Sequence, residues 1–159
     1  MIEVPNDQIS IRSLQPGDVE QVVELADSQN LSPWSKDDLL TELSRTDSLL
    51  LVAETGGNIF GFIVGRLVPG QRSDQFDAEL YNIGVKIEMQ NLSIGGRLLQ
   101  SFLDFCRRND AGQVWLEVRA GNSKAIAFYQ KAGFEEQGIR PNLYRSPTED
   151  AIVMALTLT

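Results

Sequence analysis

The chain has 159 residues, with 22 acidic against 14 basic side chains and a formal charge of −8; this is one domain's worth of sequence, able to bury about 70% of its unfolded surface. Hydrophobic content of 42% and charged content of 23% exclude a disordered or fibrous chain, and the acidity argues against a nucleic-acid partner, which needs a basic face. A single cysteine, Cys106, and no histidine exclude a disulfide framework, multi-cysteine zinc, His-ligated metal and an imidazole base. Proton transfer is left to Asp, Glu, Tyr, Lys, Cys, a backbone group or water. The opening residues lack a basic stretch followed by an apolar core, and the longest apolar run, about Leu49–Ala53, is far short of the ~20 residues that cross a bilayer. The expectation is a soluble cytoplasmic protein with no membrane partner.

In chain order, Ile9–Leu14 alternates apolar and polar residues and predicts an opening strand. Pro16-Gly17-Asp18 starts a helix carrying Val19, Val22, Val23 and Leu25 and ending near Asp27. Ser35 is a natural N-cap for a second helix through Leu43. Ser48–Glu54 and Ile59–Val68 predict strands joined at Thr55-Gly56-Gly57-Asn58, a hairpin signal. After a polar loop over Pro69–Asp77, Glu79–Val85 is the next strand. From Ser93 to Asn109, the residues Ile94, Leu98, Leu99, Phe102, Leu103 and Cys106 share one helical face. Ala111-Gly112 ends that helix and Gln113–Val118 is a strand. Ser123–Ala132 is a helix closed by Gly133, and Phe134–Ile139 and Ala151–Thr157 are the last strands, separated by a turn-rich Pro141–Asp150. The alternation implies a mixed α/β sheet, antiparallel in its first half and parallel where strand and helix alternate.

Three places could carry chemistry. At the helix beginning at Ser93, unpaired N–H groups and small residues (Ser93, Gly95, Gly96) suit a phosphate or pyrophosphate; the plainer reading is Ser93 as an N-cap. In Val114-Trp115-Leu116-Glu117-Val118, alternation puts Trp115 and Glu117 on one face. Desolvation there would suit Glu117 to general-base work; alternatively it sits solvated or arginine-paired at the strand end. Asn122 and Tyr129 lie two helical turns apart on one face, with Tyr129 either a core residue or a site residue. Cys106 falls on an apolar stripe as a structural thiol.

The run Asn-x-x-Ala-x-x-x-Tyr-x-x-x-Gly-Phe over Asn122–Phe134, after Trp115-Leu116-Glu117-Val118-Arg119, resembles the GNAT superfamily of acetyl-CoA-dependent N-acetyltransferases. More narrowly it resembles the ribosomal-protein-alanine N-acetyltransferases. Further support comes from Pro33-Trp34-Ser35, Asn82-Ile83-Gly84-Val85, Arg140–Tyr144 and Glu149–Leu156, so the likeness runs from about Ile9 to Leu156. It implies one GNAT domain over residues 1–159, with a mixed seven-stranded sheet and about four helices.

The resemblance also implies roles. The backbone of Ile83, Gly84 and Val85 would pair with the pantetheine arm of acetyl-CoA and polarise the thioester carbonyl. The turn Asn91, Leu92, Ser93, Ile94, Gly95, Gly96 would cradle the pyrophosphate, and Asn122 would hydrogen-bond the pantetheine. Glu117 would be general base and Tyr129 general acid, while Pro33, Trp34, Asn142 and Tyr144 would grip a substrate peptide. No metal is implied. The implied acceptor is a protein N-terminus, a basic ribosomal protein among the candidates. Alternatives are a small-molecule amine or lysine acceptor, or a non-catalytic acyl-CoA-binding protein. This chain departs from the family at Ser93 (a glycine), Asn91 (an arginine), Leu143 (a tyrosine) and Ser32 (a phenylalanine). The serine Cβ restricts the backbone, which implies weaker donor binding.

Overall fold

In the computed structural model, residues 8–29, 31, 34–72 and 74–158 are described. Seven strands form one sheet: β1 (Ser10–Ser13), β2 (Ser48–Thr55), β3 (Asn58–Pro69), β4 (Phe76–Val85), β5 (Ala111–Arg119), β6 (Glu135–Tyr144) and β7 (Glu149–Thr157). Their order is β1-β2-β3-β4-β5-β7-β6. Four α-helices accompany them: α1 (Val19–Ser28), α2 (Lys36–Leu43), α3 (Ile94–Arg108) and α4 (Ser123–Lys131). The expected mixed sheet is borne out, with β1–β2 and β2–β3 antiparallel, β4–β5 parallel, and β7 antiparallel to both β5 and β6. No helix among the described residues is long and apolar enough to cross a membrane.

Local chemistry explains most of these elements. The β2–β3 hairpin pairs Thr55 with Asn58 around Gly56 (φ 57°) and Gly57 (φ 84°), two positive-φ residues that match the strand twist only in a primed turn. Ser35 caps α2 as expected: its hydroxyl accepts from the Asp38 N–H at 3.0 Å while Asp38 Oδ2 accepts from the Ser35 N–H. Gly133 ends α4 at φ 106°. All six residues of the expected α3 stripe are buried. Cys106 is among them, and burial pushes its thiol up to about 12, so it stays protonated and inert at neutral pH.

Two compact units are present. The first gathers the described residues up to Arg66 with Tyr81–Phe105, and the second takes Leu67–Leu80 with Cys106 and beyond. In the first, Val19, Val22, Leu25 and Ala26 of α1 and Leu39 of α2 pack on Leu50, Val52, Ile59, Phe62 and Val64 of the sheet. A carboxylate is buried beside this core: Glu42 accepts from Arg66 Nε at 2.9 Å and Nη2 at 2.5 Å, and from the Ser48 hydroxyl. Burial alone would raise the Glu42 pKa, but the hydrogen bonds from Arg66 and Ser48 outweigh it and hold the group below the usual carboxylate range. In the second unit, the Val114, Leu116 and Val118 side of β5 is buried and Asp77 accepts from Trp115 Nε1 at 3.1 Å.

Three boundaries differ from expectation. β4 begins at Phe76 and β5 at Ala111, because Phe76 and Ala111 already pair across the parallel ladder; Ala111-Gly112 belongs to the strand, and α3 stops at Arg108. β6 runs on through Pro141 and Asn142 to Tyr144, where a turn was expected. It is the sheet's edge, exposed along its length except for half-buried Tyr144. An edge tolerates a proline, whose missing N–H costs no ladder bond. The register shifts between Arg140 and Tyr144, with Asn142 at φ 55°.

Candidate active site

In the first unit, β4 ends at Ile83-Gly84-Val85 and passes through a 3₁₀ turn (Ile87–Leu92) into α3. Gln90 ties that turn to the strand end, its Nε2 donating to Val85 O at 3.1 Å and to Gln29 Oε1 at 3.2 Å. Gly84 owes its identity first to packing: a Cβ there would lie 2.8 Å from Phe62 Cε1 and 3.0 Å from Leu31 Cδ1. Gly96, by contrast, faces open space, with nothing within 4 Å of where its Cβ would be. Among the described residues, no neighbour requires a glycine there. Pro33 lies outside the described residues, as do the side chains of Asn91 and Leu92.

Ser93 adopts φ 60°, ψ 20°, the left-handed conformation, at the end of the 3₁₀ turn. Its carbonyl accepts the first bond of α3, from the Arg97 N–H at 3.0 Å, so Ser93 stands at the N-cap place but without the usual extended backbone. A Cβ in the left-handed region is strained. Replacing Ser93 with glycine is expected to raise stability by about 0.5–1 kcal/mol in urea unfolding and to tighten acetyl-CoA binding measured by calorimetry. Unchanged values for both would show that this backbone is unstrained and does not meet the donor.

Trp34 is anchored in the first unit. It packs against the core cluster, its ring centroid is 6.2 Å from that of Tyr81, and its Nε1 donates to the Asn82 side-chain oxygen once that amide is oriented to satisfy both of its groups. The indole is therefore a fixed post beside β4.

In the second unit, β5 carries Glu117 outward while Leu116 and Val118 are buried. Of the two readings of Glu117, the solvated, arginine-paired one holds: its side chain is 35% exposed and accepts from Arg140 Nη1 at 2.8 Å through one carboxylate oxygen. Pairing brings these two together across β7, since Glu117 lies opposite Val153 and Arg140 opposite Ala151. Arg140 is the residue whose part in the site was missed; its signal was its place in the Arg140–Tyr144 segment.

Asn122 caps α4, its Oδ1 accepting from the Ala125 N–H at 3.1 Å. That leaves the carboxamide NH₂ as its donor for a ligand on an exposed helix start. Two turns on, Tyr129 is buried edge-to-face against Phe128 and Phe134, at centroid distances of 5.3 and 5.7 Å. Burial, with a smaller contribution from the Tyr144 phenol, raises its pKa well above the ordinary phenol value. The raised value keeps Tyr129 protonated throughout the neutral range and makes it a weaker acid than a solvated phenol. Asn142 and Tyr144 sit on the β6–β7 hairpin: the Asn142 N–H donates to Asp150 Oδ1 at 2.9 Å, and the Tyr144 ring lies under the Arg119 guanidinium at 4.4 Å. Burial raises the Tyr144 pKa, Glu117 and Glu149 add to it, and Arg119 opposes it. Glu117, Arg119, Tyr144 and Glu149 are therefore electrostatic neighbours.

The second unit thus holds an arginine-paired carboxylate, a buried phenol and an exposed asparagine cap, and the first holds a strand end running into a helix start of small residues. Residues 19–134 match the acetyltransferase (GNAT) family model. The chain is 34% identical over 149 residues to the N-alpha-acetyltransferase RimI of Mycobacterium tuberculosis, covering 92% of this chain and 90% of the relative. The ribosomal-protein-S18-alanine N-acetyltransferase of Escherichia coli superposes with a TM-score of 0.82 at 30% identity, over 95% of this chain and 94% of that one. Ard1 from Thermoplasma volcanium gives 0.82 at 28%, over 96% and 99%. The chain is a member of the GNAT family of acetyltransferases.

Proposed function

We propose that the chain is an Nα-acetyltransferase that moves the acetyl group of acetyl-CoA directly to a protein N-terminus in a ternary complex. The observation that carries this reading is Glu117, an accessible carboxylate on a strand whose neighbouring side chains are buried, held by a one-point contact to Arg140. An α-amino group has a pKa of about 7.7–8.0, so a carboxylate, directly or through water, needs to remove only one moderately acidic proton. The freed amine attacks the thioester carbonyl, with the backbone near Val85 supplying a donor to the developing oxyanion. As the tetrahedral intermediate collapses, its C–S bond breaks, Tyr129 gives its proton to the departing thiolate, and the second proton of the amine nitrogen leaves through water, from which the phenolate is reprotonated. Asn122 and the turn through Ser93, Gly95 and Gly96 hold the donor, supported by the bare Gly96 surface.

The acceptor class we infer is the N-terminus of a basic ribosomal protein in the cytoplasm. The names of its relatives and the −8 charge support it. Trp34, Asn142 and Tyr144 line up with acceptor binding in this reading, and the whole chain acts as one catalytic domain. The test is incubation with acetyl-CoA and peptides of varied first residue, following free CoA and peptide mass. Acetylation of an α-amine with alanine-first basic peptides preferred is the expected result. Transfer only to lysine side chains or small amines would overturn the acceptor, and donor binding without any transfer would overturn the enzyme.

A further inference from the structure

We propose that Arg119 is a positioning residue that sets acceptor affinity by holding the Tyr144 ring in place; this rests on the Nα-acetyltransferase reading and deepens it. Its guanidinium stacks on Tyr144 at 4.4 Å to the centroid. The same group is pinned from the hairpin side, where Nη1 donates to Glu149 Oε1 at 3.3 Å and to Pro147 O at 3.4 Å. Glu149 reaches back in turn, its Oε2 accepting from the Gly121 N–H at 2.6 Å. A Cβ at Gly121 would lie 2.7 Å from that oxygen, so a side chain there would push the Glu149 carboxylate aside. Asp150 adds a second tie, its Oδ1 accepting from the Asn142 N–H and its backbone O from the Ala120 N–H at 3.0 Å.

The β6–β7 hairpin is therefore fastened to the end of β5 and the turn before α4 by Arg119 of β5 and by Glu149 and Asp150 of β7. A planar guanidinium can face a ring and donate in its own plane at once, which a lysine ammonium cannot. Tyr144 is the half-buried end of an otherwise exposed edge strand, and the Arg119 guanidinium lies over its ring. Arg119 touches neither reacting group in this account: it acts through Tyr144.

A double-mutant cycle on acceptor KM tests this, using a short lysine-containing peptide with an N-terminal alanine. Arg119→Ala is expected to raise acceptor KM about tenfold, with kcat and acetyl-CoA KM within about twofold. Arg119→Lys should recover only a minor part, and Arg119→Ala should add little in a Tyr144→Ala background. A second readout needs no activity: in protein carrying ring-labelled tyrosine, the Tyr144 NMR signal should titrate at higher pH in Arg119→Ala, because the opposing positive charge is gone. Independent, additive effects in the cycle, or an unmoved Tyr144 titration, would overturn the proposal. If the wild type acetylates no peptide α-amine, the functional reading fails, and the Tyr144 titration still decides whether the Arg119 charge faces the ring.

Discussion

Replacing Glu117 with glutamine is expected to lower kcat toward N-terminal peptides about 10²-fold at pH 7, at the lower end of what general acid–base catalysis contributes. The modest figure follows from the acceptor: at pH 7 roughly a tenth of an α-amine is already neutral. The deficit should shrink at pH 9, where about nine-tenths of the amine has lost its proton unaided. The fold is expected to survive. The Glu117–Arg140 pair has side chains 35% and 58% exposed, and such a pair contributes about 1 kcal/mol or less. Steady-state turnover at both pH values, with circular dichroism to confirm folding, checks the role; full turnover of the variant at pH 7 removes Glu117 from the mechanism.

The second large effect is on stability. Glu42→Ala is expected to cost about 3–5 kcal/mol, because it strands the Arg66 guanidinium beside a buried core without its counter-charge. For a chain of this size that is a fall of roughly 10 °C or more in Tm, readable by calorimetry or urea unfolding. The paired change Glu42→Leu with Arg66→Met should be much milder, since both charges leave together. pH dependence follows from the depressed folded-state value of Glu42. Its contribution is present above the unfolded pKa of about 4.3 and is lost as pH falls through the folded value. The acid arm of the wild-type stability curve should therefore flatten in the variant. The effect reaches Trp34 through a chain of contacts: Arg66 lies 5.3 Å over the Tyr81 ring, and Tyr81 packs against Trp34.

Much of the fold was legible because its signals are local. The α3 stripe, the Gly56-Gly57 hairpin, the Ser35 cap and the Gly133 stop each depend on a few neighbouring residues, and each was found where expected. Pro141 and Asn142 misled for the same reason: both are turn formers by local preference, and only membership of an edge strand makes them admissible in β6. The candidate site was legible as a set of residue types along the chain. What escaped were pairings far apart in sequence. Arg140 reaches Glu117 only because β7 is inserted between β5 and β6, and Arg66 reaches Glu42 only when α2 packs beside β3. Ser93 could be noted as a departure, but its left-handed backbone belongs to the joint between the 3₁₀ turn and α3.

By itself the sequence determined that catalysis here must do without imidazole, that seven strands and four helices alternate in a mixed order, and that an acid and a phenol stand on consecutive elements. Those are properties of inventory and short-range periodicity. The tertiary structure alone decided that the acid is exposed and arginine-paired, that the phenol is buried and holds its proton, and that Arg119 lies over Tyr144. Burial and ion pairing depend on which distant segments pack together, and no window of neighbouring residues contains that information.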